Sequence, residues 1–304
     1  MTDVLIAGAT GMLGSRVAHH LTNEPAVRQG GQLSLLVRPG SLADEAKRTT
    51  IEALVADGAV VVDGDLNDHD SLVHATKSVD VVISAVQGGK DVLVDGQVAL
   101  ARASQHNGVR RLVASDFAID LFKAPAAAPM FATRREAAEI LDGLDLEVLH
   151  ILTGGFLDLM LNPGYPGFVD AERSSVTYWG DGTEPFDMTT VEDTARLTAR
   201  LALDDTATAT TTGGVHQFSA TTTTMQQIAD ELEQTTGRTF TRHSLGSLDD
   251  LRTAIEHEQD PYAAMGLWYQ LAIATTPPFD AADNARYADI ELTTLRDHIR
   301  SSYR

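Results

Sequence analysis

Between Val4 and Leu21 the chain reads VLIAGATGMLGSRVAHHL, an apolar run that meets three glycines, Gly8, Gly11 and Gly14, and then passes into a helical pattern. This joint limits the fold more than any other feature. A strand turns directly into a helix only where the backbone can bend sharply and approach its neighbours closely. Gly8 supplies the tight turn, Gly11 leaves backbone N–H groups unobstructed, and Gly14 seats the helix close to the strand. N–H groups and helix dipole together then favour a phosphate. Because the joint opens a strand–helix–strand unit, its glycines read as the pyrophosphate cradle of a dinucleotide site and not as a structural turn.

The pattern continues. Six short apolar runs, Val4–Ala7, Leu33–Val37, Val60–Val62, Val79–Ile83, Arg111–Ala114 and Leu146–Leu152, alternate with helical patterns over Met12–Asn23, Ser41–Gly58, Asp68–Thr76, Asp91–Asn107 and Arg134–Leu141. Strands of nearly continuous apolar character predict a parallel sheet covered on both faces. Residues 1–152 are thus read as a doubly wound α/β domain, an NAD(P)-binding Rossmann fold. Beyond Thr153 glycine and proline punctuate TGGF, NPGYPGF and YWGDGTEPF. Two helices stand out there, VEDTARLTARLAL and TMQQIADELEQTTG, and the polar DDTATATTTGG reads as a surface connection. Residues 153–304 are expected to form a smaller mixed α/β lobe, interleaved with the sheet and set at its carboxyl edge, where open α/β sheets bind ligands.

Composition narrows the function. The 304 residues contain no cysteine, and the ten histidines show no HxxxH or HExxH spacing, so no metal centre is expected. A formal charge of -20 repels nucleic acid and anionic membranes. No run approaches the roughly 18 apolar residues of a membrane span, and Met1-Thr2-Asp3 leads straight into the first strand, so a cytoplasmic location is expected. Lysine supplies only four of 23 basic residues, a bias found in salt-loving organisms and in GC-rich genomes.

The end of the second strand selects the dinucleotide. NAD-binding domains carry an acidic residue there for the ribose 2′-hydroxyl. This chain instead reads Leu36-Val37-Arg38-Pro39-Gly40. Arg38 offers a planar fork of donors to a 2′-phosphate, with no carboxylate beside it to repel the charge, so NADP(H) is favoured over NAD(H). The competing reading is a solvated charge at a strand end.

Taken with VVVDGDL, VVISAVQGG, RRLVASDFAID, TTVEDTAR and NARYADIELTTLRDHI, the GATGMLG and LLVRPG segments resemble the NmrA-like and isoflavone-reductase-like group of atypical short-chain dehydrogenases/reductases over nearly the full length. The resemblance implies NADP(H) held by Gly8, Thr10, Gly11, Met12, Leu13, Gly14 and Arg38. It also implies Asp65 and Leu66 near the adenine, Ala85 and Val86 along the cofactor, and Ser115, Asp116 and Phe117 on the nicotinamide side.

Chemistry is harder to assign. Short-chain dehydrogenases commonly use a tyrosine with a lysine four residues on, and no tyrosine here has one. Reductases of the resembled group place a lone lysine at the start of the helix after the fifth strand, and Arg134 stands at that position. An arginine stays charged at any working pH, so it can stabilise an oxyanion or orient a substrate but shuttles protons poorly. Protonation would fall to water, Lys123 or His150; His150 reads first as a hydrogen-bonded core histidine, and Lys123 as a solvated loop charge. Phe156, Leu157, Met160, Tyr165, Trp179 and the segment Tyr262–Tyr269, with Trp268, would suit a hydrophobic substrate, though core packing alone accounts for such residues. Two functions follow: an NADPH-dependent reductase of a small carbonyl or enone-like hydrophobic molecule, or a non-catalytic NADP(H) sensor that acts on a regulatory protein partner. A monomer or homodimer suits either.

Overall fold

A computed structural model describes residues 1–162, 168–207, 214–280 and 282–303. Tyr165 and most of the polar connection before Gly214 lie outside the described residues. The chain forms two compact units, one of Met1–Asp116, Thr133–Ile151 and Thr194–His216, the other of Phe117–Ala132, Leu152–Asp193 and Gln217–Arg304. The sequence places one boundary, after residue 152; the structure crosses between units at five points, of which 151/152 is one. Among the described residues no helix is long and apolar enough to cross a membrane.

The first unit is organised by a sheet containing β1 (Val4–Ala7), β2 (Leu33–Val37), β3 (Val60–Asp63), β4 (Val81–Ser84), β5 (Arg111–Val113) and β6 (Glu147–Leu152). A seventh strand, Val215–Gln217, joins beside β6, giving the order Val215–Gln217, β6, β5, β4, β1, β2, β3. This is the doubly wound order, and the strand sequence reverses between β1 and β4. β1 pairs in parallel with β2 and β4, Val4 lying opposite Leu33 on one side and Val81 on the other. Leu5, Ala7, Val82 and Leu112 from the strands bury against Leu72, Leu100 and Leu141 from the helices. Each such aliphatic side chain contributes on the order of 1.5–3 kcal/mol of burial.

Three helices differ from the expectation, each for a local reason. The helix expected over Ser41–Gly58 is a short turn, Ser41–Ala43, followed by Glu45–Ala56, because the Asp44 carboxylate accepts from the Lys47 N–H and caps a new start. The helix expected from Asp91 opens with a widened turn, Asp91–Gly96, before Gln97–His106. The helix expected from Arg134 begins at Pro129 and runs to Asp142. Proline is pre-set for a first helical position, so Arg134 falls in the second turn and does not open the helix.

One buried charge ties the unit together. Arg111, 1% exposed, donates to both Glu147 carboxylate oxygens at 2.8 and 3.0 Å. Its Nη1 also donates to the carbonyls of Leu201, Ala202 and Asp204. These carbonyls lie at and just past the end of the helix Val191–Leu203, where a cation matches the dipole.

The second unit holds two three-stranded sheets. One runs Thr221–Thr223, Phe186–Thr189, Gly155–Phe156; the other runs Thr241–Ser244, Ser175–Tyr178, Val169–Asp170. Three of its helices start on side-chain caps: Thr224 and Gln227 form a capping box on Met225–Thr236, Ser247 and Asp250 one on Leu248–His257, and Asp260 caps Pro261–Thr275. Val176, Phe186, Met188, Ile228, Leu232 and Ile299 lie in its core.

Candidate functional site

The glycine joint lies at the carboxyl end of β1, beside the strand-order reversal. Gly8 has a φ of 90°, and a Cβ there would stand 2.4 Å from the Ala85 carbonyl oxygen. A Cβ on Gly14 would stand 2.2 Å from the Gly8 carbonyl oxygen. Both are far inside contact distance, so turn, helix and the end of β4 form one block that only glycine permits. Gly11 precedes the helix Met12–Asn23 with no side-chain cap, and no acidic residue stands in its first turn. The dipole of this helix start is therefore unmatched by any side chain of its own, the electrostatic setting of an anion site.

The joint borders a cleft of about 300 Å³. Gly8, Thr10, Gly11, Arg38, Asp65, Leu66, Ala85 and Val86 all line it. The ends of β1, β2, β3 and β4 thus bring together residues as distant in sequence as Gly8 and Val86. Met12, Leu13 and Gly14 are not among the lining side chains; their place is in the helix start behind it. The Asp65 carboxylate accepts from the backbone N–H and side-chain amide of Asn67, which fixes the turn after β3.

Lys47 and Ser41 also line this cleft, and neither was singled out from sequence. Lys47 sits in the first turn of Glu45–Ala56, where a cation opposes the helix dipole. That misfit is the signal that marks it. With Arg38 it places two cations on a cleft that carries a glycine joint, a donor set that fits a dinucleotide with an added phosphate.

Ser115 and Asp116 lie behind this wall. The Ser115 hydroxyl donates to the Val86 carbonyl at 2.7 Å, and its N–H donates to Gln97. Asp116 is buried and accepts from His150 Nδ1 at 2.6 Å, while His150 Nε2 meets Asp142 at 3.0 Å. Burial works against a charge on His150, but the hydrogen bonds and attraction of Asp116 and Asp142 outweigh it and raise its pKa. His150 is a buried ion-pair partner that anchors the Ser115–Asp116 turn. Arg134, half-buried, donates from Nε to the Ser115 carbonyl at 3.3 Å. The guanidinium therefore stands at the end of β5, attached to the same turn.

In the second unit Lys123 donates to Asp280 at 2.6 Å, and that bond raises its pKa, so it holds its proton more tightly than an ordinary lysine. Phe117, Phe156, Met160 and Trp268 are half-buried. Met160 packs on the unit's core. Trp179 lines a cavity within this unit, bordered by Tyr178, Phe186, Met225 and Ile273.

The NmrA-like family model matches residues 1–288. Isoflavone reductase homolog P3 of Arabidopsis thaliana is 26% identical over 310 residues, covering 98% of this chain and 97% of the relative. Among solved structures, AtPrR2 with NADP+ and (+)-pinoresinol has a TM-score of 0.82 at 21% identity, covering 99% of this chain and 98% of its own. The binary complex of leucoanthocyanidin reductase with NADPH from Vitis vinifera has a TM-score of 0.78 at 21% identity and covers 99% of each. At those identities the structures share the doubly wound fold with this chain.

Proposed function

The chain belongs to the NmrA-like family, and from that premise we propose that it is an NADPH-dependent reductase of a small hydrophobic molecule with a carbonyl or enone-like group. One observation carries the reading: the cleft that holds the glycine joint is also lined by Arg38 and Lys47. A relative named for isoflavone reduction and fold neighbours in complex with NADP+ or NADPH support it.

In this reading the N–H groups after Gly11 hold a pyrophosphate, and Arg38 with Lys47 holds a 2′-phosphate. Asp65 and Leu66 border the adenine, Ala85 and Val86 the length of the cofactor, and Ser115 braces Val86 from behind. When bound, the reduced nicotinamide supplies a hydride. Arg134, charged at any working pH, stabilises oxyanion charge as it develops, and solvent supplies the proton. Phe156, Met160 and Trp268 are proposed for the hydrophobic substrate side, and Phe117 for the nicotinamide side.

Arg134 at a position where a proton-transferring lysine would serve keeps a second reading open, a non-catalytic NADP(H) sensor acting through a protein. Calorimetric titration of NADPH, NADP+, NADH and NAD+ at low and high salt tests the shared premise. Both readings predict NADPH binding tighter than NADH. NADPH oxidation across a panel of aromatic carbonyls and enones separates them: turnover that rises in Arg134→Lys identifies a reductase, and none in either form identifies the sensor. Failure to bind any nucleotide overturns both.

A further inference from the structure

The second unit contains a cavity that shares no residue with the dinucleotide cleft. Its volume is about 180 Å³, roughly six waters at about 30 Å³ each. That is room for one aromatic ring with a short arm. The walls are Tyr178, Trp179 and Phe186 with Met225 and Ile273. They are held in place before any ligand arrives. The indole N–H of Trp179 donates to Gln270 at 2.8 Å, and the Tyr178 hydroxyl accepts from Gln226 at 2.7 Å. The same Gln226 amide donates to the Asp181 carbonyl at 2.8 Å, tying the loop after Trp179 to the helix Met225–Thr236.

Two carboxylates, Asp181 and Glu184, also line this cavity, and none of its lining residues is basic. Asp181 accepts from the hydroxyl and N–H of Thr183 at 2.6 and 3.1 Å, which secures its anionic form. Glu184 is exposed, with no ion-pair partner among the described residues. An aromatic floor attracts a cation through the electron density of its ring faces, and an uncompensated anionic rim adds to that attraction. A neutral ligand would use only the floor, and an anion would be repelled.

We propose that this cavity is a binding site for a small aryl-alkyl amine, with the aryl group among Tyr178, Trp179 and Phe186 and the ammonium between Asp181 and Glu184. The site depends on neither reading of the dinucleotide cleft, and its test needs no nucleotide and no turnover.

The probes are 2-phenylethylamine, its neutral isostere 2-phenylethanol and the anion phenylacetate. The chain has two tryptophans, so Trp268→Phe leaves Trp179 as sole reporter in a fluorescence titration. Amide chemical-shift mapping on the unaltered protein provides the same reading should that variant fold poorly. The amine is expected to saturate with shifts confined to residues around 178–186, 226 and 270, at least about fivefold more tightly than the alcohol, and phenylacetate is expected not to bind. Glu184→Gln, an exposed change, is expected to cut amine affinity about threefold to fivefold, the scale of one solvent-screened ion pair. NADPH affinity measured in parallel is expected to stay unchanged. Equal binding of amine and alcohol, amine binding insensitive to Glu184→Gln, or shifts that never saturate would each overturn the assignment.

Discussion

The dinucleotide cleft and the aromatic cavity are built from opposite materials. The cleft of the first unit is built on a backbone turn, Gly8–Gly11, packed so closely on Ala85 that no side chain fits, and on the ends of four strands. The cavity of the second unit is walled by side chains, Tyr178, Trp179, Phe186 and Met225 among them, standing on short strands and a side-chain-capped helix. A backbone wall has no rotamers to rearrange, so any added atom is felt at once. A side-chain wall can yield by repacking. The first should fail sharply when touched, the second gradually.

The support behind the backbone wall gives the largest expected effect. His150 stands between Asp116 and Asp142 with no exposed surface. Replacing it by leucine strands a buried carboxylate and is expected to cost about 3–5 kcal/mol in chemical denaturation. The wild type should also carry a pH signature. Because the folded-state pKa is raised above 6.5, the stabilisation is complete below the unfolded-state pKa and is lost as pH rises through the folded one. Stability should therefore decline from mildly acidic toward alkaline pH, and this segment of the profile should flatten in His150→Leu. A wild-type profile flat across neutrality would mean that His150 is not an ion-pair partner.

Next comes the helix start on which the wall rests. Gly14→Val sets a branched side chain where even one carbon would lie 2.2 Å from the Gly8 carbonyl oxygen. A cost of about 3 kcal/mol is expected, at the upper end for overpacking, with loss of nucleotide binding in protein that still folds. Retained NADPH affinity would show that the joint can yield as side chains do. Arg38→Ala should leave thermal stability unchanged and weaken NADPH by about 1.5–3 kcal/mol, the range of a charge-assisted hydrogen bond, while NADH is unaffected. Lys47→Ala should act in the same direction.

The contrast also explains what could be read in the sequence. The glycine joint and Arg38 are local features, each legible within a few residues, and the six nearly continuous apolar runs, regularly alternating with helical patterns, announce the sheet. Lys47 escaped because its meaning comes from its place in a helix that starts at Glu45, a boundary set by the Asp44 cap. Arg111 escaped more completely, since its carbonyl partners lie about 90 residues away. Arg134 was singled out, but Pro129 moves it into the second turn. In the second unit the strands are two to four residues long, too short for a period-two pattern to emerge, and its cavity assembles from five separate stretches of chain.

The smallest effect expected is the one that best tests gradual failure. Thr224 accepts from the Gln227 N–H while the Gln227 side chain accepts from the Thr224 N–H, closing a reciprocal cap on the helix Met225–Thr236. That helix carries both Met225, in the cavity wall, and Gln226, which holds the Tyr178 hydroxyl and the Asp181 carbonyl. Thr224→Ala removes one half of the cap, and the usual cost is about 1 kcal/mol. A fall in thermal stability of that size should come with a modest, graded shift in Trp179 emission, because the wall loosens without losing an atom of its own. The nucleotide cleft should not register the change at all. An unchanged melting temperature would mean that core packing by Ile228 and Leu232 holds the helix without its cap, and that the second cavity is as rigidly set as the first.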